Sequence, residues 1–210
     1  MTQSWGDNPA LLVVDVSRKR ADPSLDTAYP PIVAATDHIA ELLEVARDVD
    51  VPVFFSRGGK SYYLSGGADL DPDERGPWTN KHSIRDETPA QARRAFELAP
   101  QLNPRDCERV ITKRTPSAFF ESPLAAELDD LGVDTVVITG IMTSCCVRAT
   151  IEDAFAHEYR VVVPEQCVAD HRPAADAFHL AEIDQKFGDV VDMETVRSYL
   201  QTGREDTTDR

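Results

Sequence analysis

The chain has 210 residues, enough to bury a sizeable core within one domain. Acidic residues outnumber basic ones 37 to 22, a formal net charge of −15, which argues against nucleic acid or an anionic membrane as partner. No stretch approaches the apolar length of a membrane span. The opening residues lack the charge and apolar block of a signal peptide, so a cytoplasmic protein is expected.

Apolar runs alternate with helical patterns along the chain. Ala10 to Val14 is expected to be a buried strand that ends at Asp15. Pro30-Pro31 opens a helix with Ile39, Leu42, Leu43 and Ala46 on one face. Val51 to Phe55 reads as the second strand, with Pro52 near its start. From Ser56 to Pro104 the periodicity is lost. A segment this long is expected to include a functional loop or lid. Within it, Gly58-Gly59-Lys60-Ser61 is no phosphate loop, because that motif needs glycine where Phe54 stands.

Regularity returns at Arg109-Val110-Ile111-Thr112, a strand running into Lys113. Ser122-Pro123 caps a helix to about Leu131, and Thr135 to Thr139 is the next strand, ended by Gly140. A helix from Cys146 to His157 is expected to turn Val147, Thr150, Ile151, Ala154 and Phe155 inward. Val161 to Val163 is a strand closed by Pro164. A helix over 174–187, a short strand at Val190-Val191 and a last helix to Leu200 follow, and residues 202–210 form a polar tail. The expectation is one α/β domain with a core over 10–200, three layers deep (αβα). Its mostly parallel, doubly wound sheet has about six strands.

In such sheets ligands bind at the carboxyl ends of the strands. Asp15, Lys113 and Cys146 each follow an apolar run closely, so the topology sends all three toward that edge. A thiol at a helix N-terminus meets unpaired N–H groups and the positive end of the macrodipole, which favour thiolate. Asp15 can carry its proton, and Lys113 can hold both groups ionised. The N–H of Cys146 and one from the preceding turn can face an oxyanion. The four cysteines (Cys107, Cys145, Cys146 and Cys167) show neither zinc-ligand spacing nor the density of a disulfide scaffold.

The same residues resemble the isochorismatase-like cysteine hydrolase family. The matching pieces are the strand ending in Asp15, Ile111-Thr112-Lys113 followed by Ser117-Ala118-Phe119-Phe120, and Thr139-Gly140 leading to Cys146-Val147-Arg148-Ala149-Thr150. The resemblance implies a catalytic triad of Asp15, Lys113 and Cys146. It also implies a cis peptide between Ile141 and Met142 that turns the Met142 N–H, beside that of Cys146, into an oxyanion hole. Cys145 is then a small filler; a Cys145–Cys146 disulfide acting as an off-switch is the alternative.

The segment from Pro164 to Arg172, with Ile183-Asp184-Gln185-Lys186-Phe187, is similar to the N-carbamoylsarcosine amidase branch. Where that branch grips a substrate carboxylate with arginine, this chain has His171, with Arg172 one residue on. Trp78 and Phe119 are candidates for an apolar pocket wall. A related nicotinamidase branch binds metal after its second strand, but residues 56–63 hold neither histidine nor aspartate, so no metal or other cofactor is expected. The resemblance thus implies hydrolysis of a small amide or ureide through a thioester with ammonia release. A vinyl ether hydrolase or a non-catalytic binding module are the other readings. Family members assemble as dimers or tetramers, so a homo-oligomer is expected.

Overall fold

The structure is a computed structural model that describes residues 5–58, 94 and 96–202. Among the described residues, seven strands form one parallel sheet: β1 (Pro9–Val14), β2 (Val53–Gly58), β3 (Arg109–Lys113), β4 (Thr135–Ile141), β5 (Arg160–Pro164), β6 (Val168–Ala169) and β7 (Asp189–Val191). Their order is β3-β2-β1-β4-β5-β7, with β6 paired to the end of β4. The chain therefore winds outward in both directions from β1 and β4. The reversal of winding beside β1 leaves a crevice at the carboxyl ends of these central strands.

The helices are α1 (Arg18–Ala21), α2 (Pro30–Asp48), α3 (Leu124–Asp130), α4 (Arg148–Ala156), α5 (Pro173–Lys186) and α6 (Met193–Thr202). Strand β1 is buried along its whole length, and its side chains alternate between two cores. Leu11 and Val13 join Ile39, Leu42 and Leu43 of α2 and Val196 and Leu200 of α6. Ala10, Leu12 and Val14 join Leu124 and Leu128 of α3 and Ile151 and Ala154 of α4 on the other face. Burial on both faces is why β1 and β4 are continuously apolar rather than alternating.

The expected elements stand, with these differences. Strand β2 spans Val53–Gly58 rather than Val51 to Phe55. Strand β4 does not stop at Gly140 but runs to Ile141. Gly140 has φ of 120°, and a Cβ there would meet the Val14 carbonyl oxygen at 2.1 Å, so the position needs glycine to bring the two backbones together. The cysteines sit on a π-helical turn, Thr143–Val147, and the regular helix starts only at Arg148. Phe155 is 52% exposed instead of inward. The two-residue strand β6 and the four-residue α1 are additional; both are too short to show a period.

Candidate active site

Asp15 leaves the carboxyl end of β1 with φ of 51°, a left-handed conformation that aspartate tolerates better than most residues. Its N–H donates to the Ser56 carbonyl at 3.1 Å, and its Oδ1 accepts from the Ser56 hydroxyl at 2.9 Å. Lys113, at the end of β3, is two strands away, yet its Nζ lies 2.6 Å from Asp15 Oδ2. The lysine side chain is fully buried, and Nζ also donates to the carbonyls of Thr115 (2.9 Å) and Pro116 (2.7 Å). An ammonium has three N–H donors, and each has an acceptor here. Burial works against the charge of Lys113, but the charges of Asp15 and of a Cys146 thiolate outweigh it and hold the amine above its ordinary range.

Cys146 is buried and packs in the core that includes Val14, Phe119 and Ile138. Its Sγ lies 4.0 Å from that of the half-buried Cys145. Donation of the Cys146 S–H to Cys145, then burial, then the Asp15 carboxylate push the Cys146 thiol up, against the pull of Lys113. Cys145 is shifted down, first by accepting that hydrogen bond and then, against burial, by the charge of Lys113. The two thiols thus share one hydrogen bond, with burial opposing ionisation of the pair and the Lys113 charge favouring it. The peptide bond between Ile141 and Met142 is cis, and the Met142 carbonyl accepts from the N–H groups of Cys145 (3.0 Å) and Val147 (3.2 Å).

The remaining candidates fall into three groups. His171 and Arg172 are exposed, and His171 Nδ1 lies 3.2 Å from the buried Asp170 Oδ1. Asp170 in turn accepts from Ser144, which places His171 on the same network as the cysteine turn. Phe119 lies in the same core as Cys146. It is buried and stacks on His157, with ring centroids 5.3 Å apart, and near Tyr159 at 5.9 Å. Trp78 and the expected lid lie outside the described residues.

Among the described residues, no three His, Cys, Asp or Glu side chains group as a metal set, and no helix is long and apolar enough to cross a membrane. A cavity of about 710 Å³ lined by Trp5, Phe155, Arg160 and Phe187 opens at the amino ends of β5 and β7, the opposite edge from the cysteines. Sequence reading missed Ser56 and Asp170. A polar residue inside an apolar strand, and an aspartate closing a short one, were the available signals.

The doubly wound sheet gathers a buried carboxylate, a buried amine and a thiol at its carboxyl edge, the groups that nucleophilic chemistry at a carbonyl employs. Comparison with known proteins narrows this. The isochorismatase domain model matches residues 9–195. Maleamate amidohydrolase of Pseudomonas putida is 34% identical over 202 residues, covering 94% of this chain and 89% of that protein. N-carbamoylsarcosine amidase of Arthrobacter is 32% identical over 197 residues, covering 93% and 72%. Among solved structures, a cysteine hydrolase from Pseudomonas syringae pv. phaseolicola aligns with a TM-score of 0.75 at 21% identity, covering 97% of this chain and all of that one. N-carbamoylsarcosine amidase from Thermoplasma acidophilum aligns with a TM-score of 0.69 at 23% identity, covering 89% and 97%. The chain belongs to the isochorismatase family.

Proposed function

We propose that the protein is a cysteine amidohydrolase that cleaves a small amide or ureide, R–CO–NH2, to the acid and ammonia. The observation that carries the reading is the buried Asp15–Lys113 pair, 2.6 Å apart, at the same carboxyl edge of the sheet as the turn that bears the buried Cys146. A proton acceptor beside a buried thiol is what nucleophilic attack on a carbonyl requires.

In this mechanism Asp15 takes the thiol proton as Cys146 Sγ bonds to the carbonyl carbon. The N–H groups of Met142 and Cys146 hold the oxyanion of the tetrahedral adduct. The C–N bond then breaks, the departing nitrogen takes the proton from Asp15, and ammonia leaves a thioester. Asp15 next removes a proton from water, whose oxygen attacks the thioester carbonyl. The C–S bond breaks, the acid leaves, and the proton returns to sulfur. Lys113 keeps Asp15 in place and balances the charge that passes between carboxylate and sulfur.

The curated relatives support amide over ether chemistry, since their names describe a maleamate amidohydrolase, an N-carbamoylsarcosine amidase and ureidoacrylate amidohydrolases. Ammonia release measured across maleamate, N-carbamoylsarcosine, ureidoacrylate and biuret tests the reading. Turnover of one or more by the wild type and none by Cys146→Ala, with an unchanged circular dichroism spectrum, is the expected result. Full activity in Cys146→Ala rejects it.

A further inference from the structure

The turn that bears the cysteine pair has no cap of its own. Its N-cap residue, Met142, makes no side-chain capping bond, and the first N–H groups of a helical turn lack partners within it. The missing acceptor comes from another part of the sheet. Asp170, immediately after β6, accepts from the Ser144 N–H at 3.1 Å and also from the Ser144 hydroxyl, both on Oδ2. Its Oδ1 accepts from the Arg172 N–H at 3.1 Å and lies 3.2 Å from His171 Nδ1. The Asp170 side chain is fully buried. Strand β6 itself pairs with Gly140 and Ile141, the residues that lead into the turn. One carboxylate thus fixes the cysteine turn against the strand that delivers it and against the segment that opens α5.

We infer that Asp170 is a positioning residue for the nucleophile: acting through Ser144, it holds the turn that aims Cys146 at the substrate carbonyl. The inference rests on the hydrolase reading above. Electrostatics alone does not explain the residue. The negative charge of Asp170 acts against a thiolate on neighbouring Cys145. A site built only to ionise sulfur gains nothing from a buried carboxylate there, whereas a site that must hold a turn rigid gains a charged acceptor at a helical N-terminus.

Two measurements test this. The first is steady-state kinetics of Asp170→Ala, Asp170→Asn and Ser144→Ala on whichever amide the wild type cleaves. Misplacing a nucleophile acts on kcat, so Asp170→Ala is expected to lower kcat by roughly 10- to 100-fold with KM little changed. Asp170→Asn keeps an acceptor oxygen and the side-chain volume, so it recovers part of that loss. Adding Ser144→Ala to Asp170→Ala costs little more, because both act through one contact. An unchanged kcat, a loss confined to KM, or full additivity with Ser144→Ala overturns the inference.

The second measurement is amide hydrogen exchange, which needs no substrate. In Asp170→Asn, which preserves volume where Asp170→Ala disturbs folding, exchange across 142–148 rises by roughly tenfold while β1 and α2 keep their protection. Unchanged or uniformly raised exchange overturns the inference. If the wild type cleaves none of the amides, the hydrolase reading falls and exchange alone decides whether Asp170 holds the turn. If the wild type is active and the variants match it, only the role of Asp170 falls.

Discussion

Lys113 is a fully buried ammonium, and removing one partner of such a pair leaves the other charged and stranded. Lys113→Met is expected to destabilise the fold by about 3–5 kcal/mol in urea titration and to abolish ammonia release. The pH dependence follows from the direction of its shift. Because folding raises the affinity of Lys113 for its proton, its stabilising contribution is complete below the ordinary lysine value of 10.5 and is lost as pH rises through the higher folded value. Asp170 runs the other way. Burial pushes it up, but the Ser144 hydroxyl and N–H and the Arg172 N–H outweigh this and hold it below its ordinary value of 3.8. Its contribution is complete above that value and is lost as pH falls through the lower folded one. Urea midpoints for Lys113→Met and Asp170→Asn should therefore converge on the wild type at the alkaline and acid extremes respectively. The cysteines differ in reactivity for similar reasons. Cys107 is exposed, whereas Cys167 is buried with its thiol pushed up to about 12 by burial and then by Glu41. Mapping by iodoacetamide under native conditions should label Cys107 and leave Cys167 untouched until the protein is unfolded.

Elements with long apolar runs were legible because burial on both faces of a parallel sheet leaves an unmistakable pattern in β1, β4 and β5. Helix α2 was legible from its proline start and its one apolar face. The cysteine turn was harder to read. A π turn has no hydrophobic period of its own, and Cys146 looks like a first-turn helix residue until the backbone is seen. Phe155 follows the α4 period, yet it is exposed and rests edge-on against Phe187, with ring centroids 5.8 Å apart. Asp15, Lys113 and Cys146 could be foreseen together because a topological rule sends strand ends to one edge. Ser56 and Asp170 carried only weak signals, a polar residue in an apolar strand and an aspartate after a two-residue one, and nothing local names their partners 41 and 26 residues away. Gly140 is the most sensitive joint between elements. Its substitution by alanine places a methyl group against the Val14 backbone at a φ unfavourable to it. A loss of roughly 3 kcal/mol or more is expected by chemical denaturation, much larger than for an alanine placed at exposed Gly132.

At the scale of the molecule, a net charge of −15 on 210 residues makes the folded state repel itself. Added salt screens that repulsion, with the Debye length falling from about 30 Å at 0.01 M to about 3 Å at 1 M. The melting temperature is therefore expected to climb as sodium chloride rises from about 0.01 to 1 M, as followed by differential scanning fluorimetry. A flat or falling curve would show that the acidic surface is not what limits stability.

Strand β2 separates Lys113 from Asp15, and neighbouring strands lie about 4.8 Å apart, so the amine must bridge a lateral gap of roughly 10 Å together with a short carboxylate. A long, slim, unbranched tether suits that crossing. An arginine would bring a broad planar head to the same place, and a stem one carbon shorter has less reach. The choice of lysine is thus a matter of span as much as of charge.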